Sequence, residues 1–183
     1  GRGIAGDLSW AELSRLDAGS WHSRLYAGEP IPTLQAVASF VQLNGFALDL
    51  EIKPTPGLEA HTGAVVADEV ARLWHGHPQV PLLSSFQPEA LRAALDSVPA
   101  LPRALLLDTL PAAAVEMALE LRCVALITNH QLMDAALVKR IQAAGVRAMV
   151  YTVNELSRAS VLQSTGMDGI ITDQMSWTGL QSA

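Results

Sequence analysis

The sequence predicts an α/β fold built on a parallel sheet. Three observations carry the prediction. Apolar runs of strand length alternate with stretches of helical periodicity, at 46–53, 80–86, 103–108, 123–128, 147–153 and 169–173. The middle runs, such as Ala104-Leu105-Leu106-Leu107 and Val124-Ala125-Leu126-Ile127, are nearly unbroken, as strands covered on both faces require. Hydrophobic residues make up 50% of the 183 and charged residues 16%, enough for one large core and too apolar for a disordered chain.

Each element has its own signal. Ser9 and Glu12 stand at capping-box spacing, ahead of a first helix. Thr33 is placed to cap a helix over 34–43, and the strand 46–53 follows. Helical spacing resumes over 62–77 and leads to the strand 80–86. Pro88 suits the first position of the next helix, where a missing N–H costs nothing, and Pro111 suits the same position after the strand 103–108. The stretch 112–122 is the apolar face of that later helix, not a cofactor box. The strands 123–128 and 147–153 lead into helices over 131–144 and 155–165. Gly145 and Gly166 follow those helices, where a left-handed residue ends the last turn. The run 169–173 closes the series.

Regular alternation of strand and helix implies parallel pairing. A (β/α)8 barrel and an open doubly wound sheet both satisfy it. No glycine-rich phosphate loop follows any strand, which disfavours the nucleotide-binding form of the open sheet. Polar residues gather at the C-terminal ends of the strands, among them Glu51, Lys53, Ser84, Ser85, Asp108, His130 and Asn154. Barrel enzymes carry their sites on that face. A barrel needs eight strands and typically ~250 residues. Six strands are legible here, and the first 45 residues hold none. The expectation is one domain over 1–183 that begins after its first two strands.

Composition excludes several function classes. Lys plus Arg is 12 against 18 Asp plus Glu, a net charge of −6, so the chain lacks the basic footprint of a nucleic-acid binder. No apolar run approaches the ~18–20 residues of a membrane span. The opening residues carry no signal-peptide core. A single cysteine, Cys123, leaves no internal disulfide and no Cys-rich zinc site, and points to a reducing, cytoplasmic home. Cys123 reads as a small core residue.

The most informative stretch is Leu48-Asp49-Leu50-Glu51-Ile52-Lys53-Pro54. Alternate residues of a strand share a face, so Asp49, Glu51 and Lys53 point one way and Leu48, Leu50 and Ile52 the other. Charges on a buried strand are costly unless they line a polar site. A carboxylate there can hold a hard cation, Mg²⁺ or Ca²⁺, and the lysine can meet an anion beside it. A strand-end salt bridge would explain the same spacing.

These residues also carry a resemblance. Gly19-Ser20-Trp21, then Gly28-Glu29-Pro30-Ile31-Pro32-Thr33-Leu34, resembles the segment before the Glu-x-Lys strand of glycerophosphodiester phosphodiesterases. Leu50-Glu51-Ile52-Lys53-Pro54 is similar to that strand. Tyr151-Thr152-Val153-Asn154 resembles the family's Trp-Thr-Val-Asn, and Gly166-Met167-Asp168-Gly169-Ile170-Ile171-Thr172-Asp173 its closing Gly-Val-Asp-Gly-Ile-x-Thr-Asp. The match runs in order across almost the whole chain and is closest to bacterial cytoplasmic members.

The resemblance implies a (β/α)8 TIM barrel, with about six of its eight strands in this chain. It implies hydrolysis of a small-molecule glycerophosphodiester to sn-glycerol 3-phosphate and an alcohol, with a divalent metal. Glu51 matches a metal ligand and Lys53 the phosphate-site lysine, while Ser85, Phe86 and Tyr151 match the border of the substrate pocket. Tyr151 stands where tryptophan is usual, and no proline follows Asp173. The family's His-Arg-Gly, Glu-x-Asp and His-Asp motifs are absent from this sequence. With them go two catalytic histidines and two metal carboxylates, so the chain alone is expected to be inactive. A non-catalytic remnant serving as a binding or partner subunit is the rival reading, and a homo-oligomer is left open.

The other polar residues have plainer readings. His75 and His77 end a helix without an acidic partner at ligand spacing. His130 is a candidate for the pocket rim or for a hydrogen-bonded loop histidine. Ser84 and Ser85 lack a nucleophile elbow. Asp108 and Asp173 are expected to orient Lys53, bind a hydroxyl or cap a helix. Trp10, Trp74 and Trp177 are expected to pack between helices and barrel.

Overall fold

The computed structural model describes residues 3–175 and 177. Six strands form one sheet: β1 (Asp49–Glu51), β2 (Leu82–Ser85), β3 (Arg103–Leu107), β4 (Ala125–Asn129), β5 (Arg147–Tyr151) and β6 (Gly169–Ile170). Every pairing is parallel and the spatial order is the chain order. A doubly wound sheet reverses its order at a switch point. This sheet has no reversal, so it is a six-stranded sector of a (β/α)8 barrel.

Helices α1 (Trp10–Leu13) and α2 (Leu34–Asn44) precede β1. The helices α3 (Glu59–Leu73), α4 (Pro88–Ser97), α5 (Ala114–Glu120), α6 (Ala135–Ala143) and α7 (Leu156–Gln163) fill the successive crossovers. Strand periodicity divides the core between two faces. Leu83, Leu105, Leu126 and Val150 are buried beneath the helices. Ala104, Leu106, Ala125 and Ile127 cluster on the opposite, inner face with Leu82 and Met149 packed against them. Each fully buried aliphatic side chain contributes about 1.5–3 kcal/mol. Cys123 is buried among these residues, and burial pushes its thiol up to about 12, the state of an inert core residue.

Local signals account for most boundaries. The Glu12 carboxylate accepts from the Ser9 N–H at 2.8 Å and the Ser9 hydroxyl at 2.7 Å. Thr33 Oγ1 accepts from the Ala36 N–H at 3.1 Å. Pro88 opens α4. Gly145 has φ +77°, and its N–H reaches the Gln142 carbonyl while that of Val146 reaches Ile141, the paired bonds of a Schellman ending.

Several expectations are corrected. β1 and β6 are shorter than the apolar runs that suggested them, because each pairs on one side only among the described residues. Pro111 does not open α5; its carbonyl accepts from the Ala114 N–H at 3.0 Å, a turn ahead of the helix. α6 starts at Ala135 because Asp134 caps it, taking the Leu137 N–H at 2.7 Å. Trp10 is 51% exposed rather than packed between helices and barrel, whereas Trp74 is buried. Among the described residues, no helix is long and apolar enough to cross a membrane.

Candidate active site

A cavity of about 330 Å³ opens on the inner face at the C-terminal ends of the strands. Asp49 and Glu51 from β1, Ser84 and Phe86 from β2 and its exit, Leu106, Tyr151, Thr152 and Ile171 line it. Strand parity explains the set. Asp49 and Glu51 leave Leu50 and Ile52 to pack beneath the helices. Register then sets Glu51 beside Ser84 on the neighbouring strand.

Asp49 opens onto solvent, yet the walls around its carboxyl strip away water and push its pKa above the ordinary carboxylate value. The nearby Ser84 hydroxyl opposes that rise, and the like charge of Glu51 adds to it. Ser84 Oγ is buried and makes no hydrogen bond among the described residues. A buried hydroxyl without a partner is costly and stands ready for one.

Tyr151 forms the opposite wall. Its ring meets Phe86 edge-on, with centroids 5.4 Å apart and planes at 87°. Its hydroxyl donates to the Asp108 carboxylate and to the Leu107 carbonyl, the latter at 3.2 Å. Burial first, then the Asp108 bond and the charges of Asp108 and Glu51, hold the phenol far above its usual pKa. It is therefore a neutral donor over the ordinary pH range.

The site residues read from the sequence separate into two groups. Glu51, Phe86 and Tyr151 come together around the cavity. Ser85 does not join them. It faces away from the cavity, its Oγ donating to the Ile52 carbonyl at 2.7 Å and accepting from the Gln87 N–H at 3.1 Å. Adjacent strand residues face opposite ways, so Ser84, not Ser85, reaches the inner face. Lys53 lies two residues beyond Glu51, exposed, and does not line the cavity wall. Asp108 and Asp173 are engaged elsewhere, by Tyr151 and by Asn154, whose Nδ2 reaches Asp173 at 3.0 Å. Asp49, on the same strand face as Glu51, and Ser84, at the end of β2, complete the polar wall.

No three His, Cys, Asp or Glu side chains converge among the described residues. The hard-cation donors at the cavity are the Asp49 and Glu51 carboxylates, with the Ser84 hydroxyl beside them. Their like charges repel one another, which a cation between them would offset. Mg²⁺ commonly takes one or two carboxylates and completes its shell with water and substrate phosphate, so this pair fits such an ion.

Known proteins share this architecture. The chain is 34% identical to an Oleispira antarctica phosphodiesterase solved in complex with the product sn-glycerol-3-phosphate, with a TM-score of 0.88 over 94% of this chain and 70% of that one. It is 28% identical to a glycerophosphodiester phosphodiesterase of Caldanaerobacter subterraneus subsp. tengcongensis, over 94% of this chain and 70% of the relative. A structure from Agrobacterium tumefaciens shares the fold at a TM-score of 0.76 and 20% identity. The model of the glycerophosphoryl diester phosphodiesterase family matches residues 1–176, and the chain belongs to that enzyme family.

Proposed function

We propose that the cavity binds a glycerophosphodiester for hydrolysis to sn-glycerol 3-phosphate and an alcohol. The supporting observation is the Glu51 carboxylate, set beside Asp49 at the C-terminal mouth and faced by Phe86 and Tyr151. Glu51 and Asp49 would hold a divalent cation, and Mg²⁺ suits two carboxylates because it keeps several waters in its shell. When bound, that cation supplies positive charge against the phosphate oxygens. Lys53, exposed just past the strand, meets the phosphate as a point charge. Phe86 and Tyr151 offer an apolar wall to the glycerol carbons. In the net reaction a water oxygen bonds to phosphorus, the P–O bond to the alcohol breaks, and the alcohol leaves with a proton. A reducing, cytoplasmic setting suits the lone buried thiol.

The five histidines lie at 22, 61, 75, 77 and 130, and none lines this cavity. Proton transfer by a positioned side chain contributes typically ~10²–10⁴-fold. We therefore expect this chain to bind and orient the diester while hydrolysing it slowly, which keeps a binding-subunit role as the second reading. Titration calorimetry of the chain with sn-glycerol 3-phosphate in Mg²⁺ tests the site. Glu51→Gln should weaken binding about tenfold or more, the scale of a lost charged interaction. Unchanged Mg²⁺-dependent binding in that variant would refute the assignment.

A further inference from the structure

A second cleft, of about 250 Å³, lies where the ends of β4 and β5 meet the start of α7. We propose that it is the head-group subsite, built for a polyol alcohol such as glycerol or inositol rather than a quaternary ammonium. The proposal rests on reading the main cavity as the diester site. The two cavities share Thr152, so a diester whose phosphate sits by Glu51 can extend its alcohol across Thr152 into the cleft.

Arg158 is held in place from below. Its Nε donates to His130 Nδ1 at 3.2 Å and its Nη2 donates to the His130 carbonyl. Because Nδ1 accepts, the neutral imidazole carries its proton on Nε2, which becomes a donor. Arg158 Nη1 makes no hydrogen bond among the described residues and is a second. Glu155, exposed at the N-terminus of α7 with no capping bond from its side chain, brings an acceptor to the same cleft.

Asn154 is not available to a ligand. Its Nδ2 donates to Asp173, and its Oδ1 accepts from the Asp173 N–H at 2.9 Å and the Thr172 hydroxyl at 3.2 Å. It works as a strut between the ends of β5 and β6. What remains is His130 Nε2, Arg158 Nη1 and the Thr152 hydroxyl as donors, with the Glu155 carboxylate as acceptor, at the wall of a small cleft. Adjacent hydroxyls each donate and accept, so a diol satisfies both kinds of group at once. A trimethylammonium group offers neither, and binds best against aromatic faces. Phe86 and Tyr151 supply such faces only in the main cavity, and here the Arg158 guanidinium offsets the Glu155 carboxylate that would otherwise draw a cation.

Titration calorimetry in Mg²⁺ with sn-glycerol 3-phosphate, glycerophosphoglycerol and glycerophosphocholine tests this. The unaltered chain should bind glycerophosphoglycerol about tenfold more tightly than glycerophosphocholine, the scale of one charge-assisted hydrogen bond. Arg158→Gln should erase that margin and leave glycerol 3-phosphate affinity within about twofold. Glu155→Gln touches no internal bond and should narrow the margin too, which keeps the test alive if Arg158→Gln unfolds. Equal binding of the two diesters by the unaltered chain overturns the proposal. So does an Arg158→Gln effect that weakens glycerol 3-phosphate as much as the diester. Failure of glycerol 3-phosphate to bind at all would instead refute the diester site and the subsite with it.

Discussion

Tyr151, at the end of β5, reaches over β4 to donate its hydroxyl to Asp108 at the exit of β3. The bond joins two strands that are not neighbours and closes the mouth on the side facing Glu51. One side chain thus does two things: its ring makes the apolar wall with Phe86, and its hydroxyl fixes where that wall stands.

The two roles separate by substitution. Tyr151→Phe keeps the ring and removes both bonds, so it should cost about 1–2 kcal/mol of stability. Glycerol 3-phosphate affinity should then fall only a few-fold. Tyr151→Ala removes the wall as well and should weaken binding by about tenfold or more. Chemical denaturation and calorimetry on the two variants read the two effects separately. Equal affinity losses in Phe and Ala would mean that the hydroxyl, not the ring, serves the ligand.

Period-two alternation made much of this legible in the sequence. The run around Glu51 gave the polar face, the unbroken Leu and Val runs gave the buried strands, and the interval between strands gave parallel pairing. Strand order was not legible, because a barrel and a doubly wound sheet share the same local pattern. Ser85 faces away from the cavity for a related reason: a motif names neighbours in sequence, while the strand sends neighbours to opposite faces. Arg158 went unseen because its role depends on a contact with His130, which sits on a different crossover.

The serine pair gives a direct test of that parity. Ser85→Ala breaks the bonds that tie the end of β1 to β2 and the turn at Gln87, and should cost about 1–3 kcal/mol. For a chain of this size that is a melting shift of roughly 2–4 °C per kcal/mol. Ser84→Ala deletes a hydroxyl that makes no well-formed hydrogen bond and only eases the charge on Asp49, so it should cost less than Ser85→Ala, while altering cation binding at Asp49. The reverse ranking of the two melts would place the wrong serine in the cavity.

Packing at the helices sets another limit. A Cβ on Gly63 of α3 would stand 2.1 Å from the Ala90 carbonyl oxygen of α4, and backbone cannot swing aside as a side chain can. Gly63→Ala should therefore push the two helices apart and destabilise by about 1–3 kcal/mol, the range for overpacking. Neither Gly63 nor Ala90 lines the cavity, so ligand affinity per folded molecule should hold. A melt indistinguishable from the unaltered protein would mean that α3 and α4 do not approach this closely.

Asp49 should show the opposite sign. Its folded pKa is raised, first by burial and then by Glu51, so the stability it permits is full below the unfolded value near 3.8 and declines as pH rises through the folded value. At neutral pH the ionised group is a cost that a bound cation would relieve. Asp49→Asn should accordingly melt higher than the unaltered chain at pH 7 without Mg²⁺, and the gap should close near pH 3. Added Mg²⁺ should stabilise the unaltered chain more than the variant, because ligand that binds only the folded state raises its stability. Melting curves at the two pH values, with and without Mg²⁺, carry the test. A variant that melts lower at pH 7 would show that the carboxylate is held by favourable contacts, and that position 49 was not kept charged for an ion.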